Sequence, residues 1–129
     1  MALTIDIVAA AKANDHFRKV LSTGTHAQVV VMSIPPGGEI GEEVHEHVDQ
    51  IFVFVAGEGT VVLEGVEAAV WPDRLVHVPA GTRHNVLNHG AGALRLFTVY
   101  APPQHADGTI HRTKAEADAD EADRFVGAS

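Results

Sequence analysis

Apolar residues in the middle of this chain gather in short β-branched runs rather than at helical spacing. The runs are Gln28 to Ile34, Ile51 to Ala56, Thr60 to Leu63, Ala68 to Trp71, Leu75 to Val78, Asn85 to Leu87 and Leu94 to Tyr100. Glycine and proline punctuate them at Pro35-Pro36-Gly37-Gly38, Gly57-Glu58-Gly59, Pro79-Ala80-Gly81 and Asn88-His89-Gly90. These residues supply the fixed or positive φ values that tight turns need. Short strands with regular turn signals predict an all-β sandwich or barrel spanning about 26–101.

A different pattern flanks this core. An alanine-rich stretch predicts a helix over about 6–13. Thr113 with Glu116 forms a capping-box pattern, in which each side chain bonds the other's backbone N–H. That pattern predicts a second helix over about 113–125. Ala115, Ala119, Ala122 and Val126 recur there at helical spacing, so they form its expected docking face. Asp118, Asp120, Glu121 and Asp123 are its expected solvated face.

The strand after Asp49 is apolar on both sides. Gln50, Phe52 and Phe54 share one face, and Ile51, Val53 and Val55 share the other. Both faces are therefore expected to be buried. One lines the barrel, and the other needs a second sheet or a second subunit, which makes a homodimer the expected assembly.

Composition narrows the function. The chain has 129 residues, enough for one domain of 1–129, and 46% of them are apolar. A net charge of −8 argues against nucleic acid, whose phosphates need basic patches. There is no cysteine, so disulfides, thiolate metal sites and cysteine nucleophiles are excluded. No run approaches the roughly 18 apolar residues of a membrane span. Met1 to Asp6 lacks a basic n-region and an apolar stretch, so the expected location is cytoplasmic.

Nine histidines are the unusual feature, since histidine is the commonest metal ligand. His45 and His47 lie two apart, on one face if the segment is extended. Gln50 follows three residues later. His84 arrives far downstream, just after the turn at Pro79-Ala80-Gly81. Two histidines from one strand and a distant third can converge on one ion inside a barrel.

These residues resemble the two motifs of the cupin superfamily. The second motif, G-x5-P-x-G-x2-H-x3-N, is matched by Pro79, Gly81, His84 and Asn88, with Asp73 standing where its first glycine belongs. The first, G-x5-H-x-H-x3–4-E-x6-G, is matched with three departures. No glycine stands at the right distance before His45, Gln50 occupies the glutamate position seven residues before Gly57, and the interval from His47 to Gln50 is short. The chain is similar in particular to small bacterial single-domain cupins with glutamine at that position.

The resemblance implies a double-stranded β-helix with one divalent metal (Zn, Ni, Fe, Mn or Cu) on His45, His47, Gln50 and His84. It implies a metal-dependent isomerase, lyase or dioxygenase acting on a small polar molecule, or a metal-containing binding or sensing module without turnover. Three neutral imidazoles and an amide would leave the full 2+ charge on the ion and sharpen its Lewis acidity. Glutamine cannot act as a base, so proton transfer needs another group. The candidates are His77, Tyr100, His105 and His111. Phe52 and Phe54 are expected to line the substrate cavity, and Arg95 to clamp an anionic substrate. The loop between His105 and His111 is either a lid or a plain surface connection. A rival reading, the His47-x-Asp49…His84 spacing of a facial triad, would leave the Pro79-x-Gly81 and Gln50-x6-Gly57 matches as coincidences.

Overall fold

A computed structural model of the chain describes residues 2–125. In chain order the elements are α1 (Ile7–Ala13), β1 (Arg18–Thr23), β2 (Gln28–Ile34), β3 (Asp49–Ala56), β4 (Gly59–Leu63), β5 (Val66–Val70), β6 (Leu75–Val78), β7 (His84–Leu87), β8 (Leu94–Ala101), β9 (Ile110–His111) and α2 (Lys114–Ala119). They build a six-stranded sheet, β6-β3-β8-β2-β1-β9, and a three-stranded sheet, β5-β4-β7. All pairings within them are antiparallel. This is the jelly-roll arrangement, with the core between the sheets.

The core follows from strand alternation. Phe52 and Phe54 of β3 point inward with Leu94, Leu96 and Tyr100 of β8, and with Val30, Met32 and Ile34 of β2. Val61, Val70 and Val86 meet them from the smaller sheet. Each such side chain contributes about 1.5–3 kcal/mol when fully buried. Phe52 and Phe54 stack at 6.2 Å between ring centroids. Both therefore fill the barrel core.

Helix α1 covers part of the outer face of the large sheet. It begins at Asp6, whose side chain accepts from the Ala9 N–H at 3.0 Å. It places Ala11 against Val31 and Val55, with Ile7, Leu21, Ala56 and Phe97 around them. The chain's own helix thus covers Val55, while Ile51 and Val53 stay half-buried.

Helix α2 departs from expectation. Thr113 caps it as the pattern predicts, accepting from Glu116 N–H at 3.1 Å, but it ends at Ala119. Asp120 leaves helical geometry, and its carboxylate meets His111 Nε2 at 2.9 Å. Ala117 packs on the core, whereas Ala115, Ala119 and Ala122 do not join it. Val126 lies outside the described residues. No helix among the described residues is long and apolar enough to cross a membrane.

Candidate metal centre and barrel mouth

Two chain segments far apart in sequence are stitched together at the site. Glu43 and His84 form a β-bridge, each N–H donating to the other's carbonyl at 2.9 Å. The turn of the second motif is tied in as well, since Gly81 N–H donates to the His45 carbonyl at 2.8 Å. Asn88 donates to the carbonyls of Ile34 and Gly92, both at 2.9 Å, so it staples the turn rather than serving the site. Asp73, where the motif has glycine, adopts a left-handed φ of 76°.

The bridge places the side chains of Glu43 and His84 on one face, and alternation adds His45. Glu43 Oε2 lies 3.4 Å from His45 Nε2, and the His45 and His84 rings lie 5.4 Å apart. His84 Nδ1 donates to the Thr82 carbonyl at 2.9 Å, which leaves Nε2 as a bare acceptor. Burial chiefly, then the positive fields of His84, His105 and Arg18, lowers the His45 pKa to about 4. Its imidazole is therefore neutral at physiological pH.

Gln50 lies opposite Tyr100 in the β3–β8 ladder, and the Tyr100 ring is 6.1 Å from that of His45. Gln50 is buried, and its Nε2 donates to Thr98 Oγ1 at 3.1 Å. The Thr98 hydroxyl in turn donates to the Ile51 carbonyl at 2.8 Å, which fixes the chain of donors. The amide oxygen, Gln50 Oε1, is buried with no hydrogen-bond partner.

His47 stands apart from this group. Glu46 and His47 form a turn and both are exposed, so the strand alternation assumed between His45 and His47 does not hold. Counted from Glu43 instead, the first motif fits without its spacing faults: Gly37-x5-Glu43-x-His45-x4-Gln50-x6-Gly57. Glu43 takes the first histidine position and His45 the second. The signal lies in the interval to Gly37, hidden by a carboxylate standing where histidine is sought. Asp49, the middle member of the rival triad, is exposed and accepts from Ala80 N–H at 2.8 Å.

The acid–base candidates separate clearly. His77 is exposed, opposite Ile51 on the outer face. Both nitrogens of His111 are engaged, with Arg18 at 3.3 Å and Asp120 at 2.9 Å, so it ties the C-terminal segment to β1. Tyr100 is buried with its ring 6.1 Å from that of His45, and burial pushes its phenol well above the usual range. It stays a protonated donor. Arg95 faces outward and pairs with Asp15 at 2.6 Å, away from the barrel interior, because Leu94 and Leu96 take the inward positions.

The loop after β8 folds inward. Gln28 donates to the His105 carbonyl at 2.9 Å and accepts from the N–H groups of Gln104 and His105 at 3.2 and 3.0 Å. His105 is thereby packed edge-on against Tyr100, with 4.8 Å between ring centroids. Its Nδ1 meets Asp123 Oδ2 at 2.7 Å. The Asp123 side chain, expected to be solvated, is almost fully buried and also approaches Arg18 at 3.9 Å. Burial works against its charge, yet the His105 hydrogen bond, the Ala106 N–H and Arg18 hold its pKa at about 2. A polar cavity of about 360 Å³ lies here, lined among others by Arg18, Glu43, His105 and Asp123.

The depressed His45 pKa makes a prediction for the metal-free protein. Unfolded histidine protonates near 6.5, whereas folded His45 resists until about 4. The unfolded state thus binds more protons across that window, and stability falls as pH falls through it. Asp123 acts lower, its contribution being lost from about 3.8 down to about 2. Urea midpoints measured between pH 7 and 4.5 should fall less in His45→Gln than in the native chain. Equal slopes would show that His45 does not carry the effect.

Comparison with known proteins agrees with this geometry. The family profile described as a cupin domain matches residues 30–100, more than half of the chain. The uncharacterised protein YrkC of Bacillus subtilis (strain 168) is 43% identical over 119 residues, covering 88% of this chain and 64% of its own length. The uncharacterised protein L612 of Acanthamoeba polyphaga mimivirus is 31% identical over 102 residues, covering 75% of this chain and 63% of its own. The chain thus spans less than two thirds of the length of these curated relatives. The crystal structure of BH2720 from Bacillus halodurans superposes with a TM-score of 0.91 at 42% identity, covering 92% of this chain and 95% of that one. On the profile match, the paired sheets and the residues of both motifs, the chain belongs to the cupin family.

Proposed function

We propose that the barrel interior is a divalent metal centre on Glu43, His45, Gln50 and His84, serving an enzyme that acts on a small polar molecule. The observation that carries this reading is Gln50 Oε1, a buried acceptor with no partner. A native fold seldom leaves such an atom orphaned without a use. Among the described residues no three His, Cys, Asp or Glu side chains form a group that could hold a metal ion on their own. Glu43, His45 and His84 would therefore have to draw together, with the Gln50 amide, around an ion as it binds. Two imidazoles, one amide oxygen and one carboxylate suit Zn, Ni, Fe, Mn or Cu.

Glu43 changes the electrostatics expected from the sequence. An all-neutral set would leave 2+ on the ion, whereas the Glu43 carboxylate cancels one unit. A bound ion would supply Lewis-acid polarisation of a substrate oxygen, or redox chemistry if it is iron or copper. The chain's own residues do the rest. Thr98 orients the Gln50 amide, Tyr100 presents a protonated phenol, and Phe52 keeps the floor dry beside His84, with 6.1 Å between ring centroids. A sensing module without turnover would share this set; the His105–Asp123 pair, which orients a ring nitrogen as a proton acceptor beside the cavity, supports an enzyme.

Elemental analysis tests the site. Native protein and His47→Ala should carry near-stoichiometric metal, while His84→Ala should lose it and Glu43→Ala should bind at least about tenfold more weakly. Metal lost in His47→Ala and kept in Glu43→Ala would reject this ligand set. A native chain that takes up none of Zn, Ni, Fe, Mn or Cu would reject the centre altogether.

A further inference from the structure

Two residues that line the cavity at the barrel mouth carry orphaned buried atoms, and together these describe what would satisfy them. They are His105 and Arg18, with side chains only 7% and 8% exposed. His105 Nε2 and Arg18 Nε have no hydrogen-bond partner. His105 Nδ1–H donates to the Asp123 carboxylate, so in the neutral ring Nε2 is a bare acceptor. Arg18 Nε–H is a donor. A ligand satisfying both must offer a donor and an acceptor, as a hydroxyl group does. A carboxylate offers acceptors alone, and a phosphate, although it can carry a P–OH donor, brings negative charge.

Charge points the same way. Carboxylates from Glu42, Glu43, Asp118, Asp120 and Asp123 line the cavity, against the cations Arg18 and Lys114. Lys114 is already paired with Asp118 at 2.7 Å, and Arg18 approaches Asp123 at 3.9 Å. An anion entering would meet the remaining carboxylates. Because Glu43 belongs to both cavity and proposed metal set, a molecule held here lies next to that centre.

We infer that the mouth cavity binds an uncharged, hydroxyl-rich molecule, one hydroxyl donating to His105 Nε2 and an oxygen accepting from Arg18 Nε. This rests on the reading of the barrel as a ligand-bearing site and supplies its substrate class. His105 is then the group placed to accept a hydroxyl proton, with Asp123 holding its tautomer.

The test is a side-chain ¹⁵N NMR titration of the full chain with xylitol, malonate and inorganic phosphate, with metal content measured on the same sample. The expected result is a non-protonated His105 Nε2 that shifts, together with Arg18 Nε–H, on adding xylitol and less with either anion. His105→Leu should weaken xylitol binding about tenfold, the loss of one hydrogen bond to a buried acceptor. Arg18→Lys, which keeps the charge and removes the Nε donor, should also weaken it. A protonated Nε2, a stronger response to phosphate or malonate, or no response to concentrated xylitol would overturn the inference. Metal content reports separately on the centre, so the two can fail independently.

Discussion

Gly57→Ala is expected to destabilise the fold by about 3 kcal/mol or more, from strain and overlap together. Gly57 has a φ of +84°, where a side chain costs about 1–2 kcal/mol per residue. A Cβ there would sit 2.4 Å from the Ala93 carbonyl oxygen and 3.0 Å from Leu94 Cα. Both are backbone atoms at the entry to β8, so relief would require moving a central strand. Gly65 separates the two effects. Its φ is +79°, but nothing lies within 4 Å of the place a methyl group would take, so Gly65→Ala should show only the conformational cost. Urea unfolding of both variants measures the difference. Equal losses would show that the clash at Ala93 is relieved without cost.

Gln28→Leu is expected to cost about 3 kcal/mol or more, because three backbone groups lose their partner at about 1–3 kcal/mol each. Gln28 is fully buried and serves the Gln104 N–H, the His105 N–H and the His105 carbonyl, besides Thr23 Oγ1 at 2.9 Å. Leucine keeps the bulk and offers nothing to any of them. The amides of Gln104 and His105 should lose hydrogen-exchange protection beyond the global change. Thr23→Val removes the Thr23 hydroxyl as a partner and leaves the loop's three bonds in place, so it should spare those amides. Unchanged exchange in Gln28→Leu would mean that Asp123 holds the loop instead.

Local pattern is enough for some strands and not for others. β2 and β6 have the bounds that the apolar runs suggest, because their inward positions alternate with little interruption. β1 is silent in the sequence: Arg18, Lys19, Ser22 and Thr23 give it the look of a loop, and a bulge between Val20 and Ser22 breaks its register. It is a strand because β2 and β9 flank it on both sides, which is information held elsewhere in the chain. β9, at two residues, is too short for any periodicity.

The site divides in the same way. Of the proposed ligand set, His45, Gln50 and His84 are legible from spacing, because turn and strand positions fix which face they take. His47 is misplaced by the same rule, because a turn at Glu46 and His47 interrupts the alternation. Glu43 is invisible to a search for histidines, although its distance from Gly37 marks it. Asp123 looks like one of several surface acids on a helix. Only the early end of α2 and the fold-back of the chain put it on His105, and neither effect is local.

The position of β8 bears on how the chain comes to be folded. Leu94–Ala101 lies between β2 and β3 and forms hydrogen-bonded ladders with both. During synthesis, β2 and β3 emerge well before the strand that joins them. Until then each waits with an unsatisfied edge, and the sheet has no centre. Pairings this distant in sequence are slow to form, because chain closure must precede any gain in contacts. The barrel is thus completed late and in one cooperative step, and a nascent chain halted before Leu94 would expose two apolar strand edges prone to pairing with other chains.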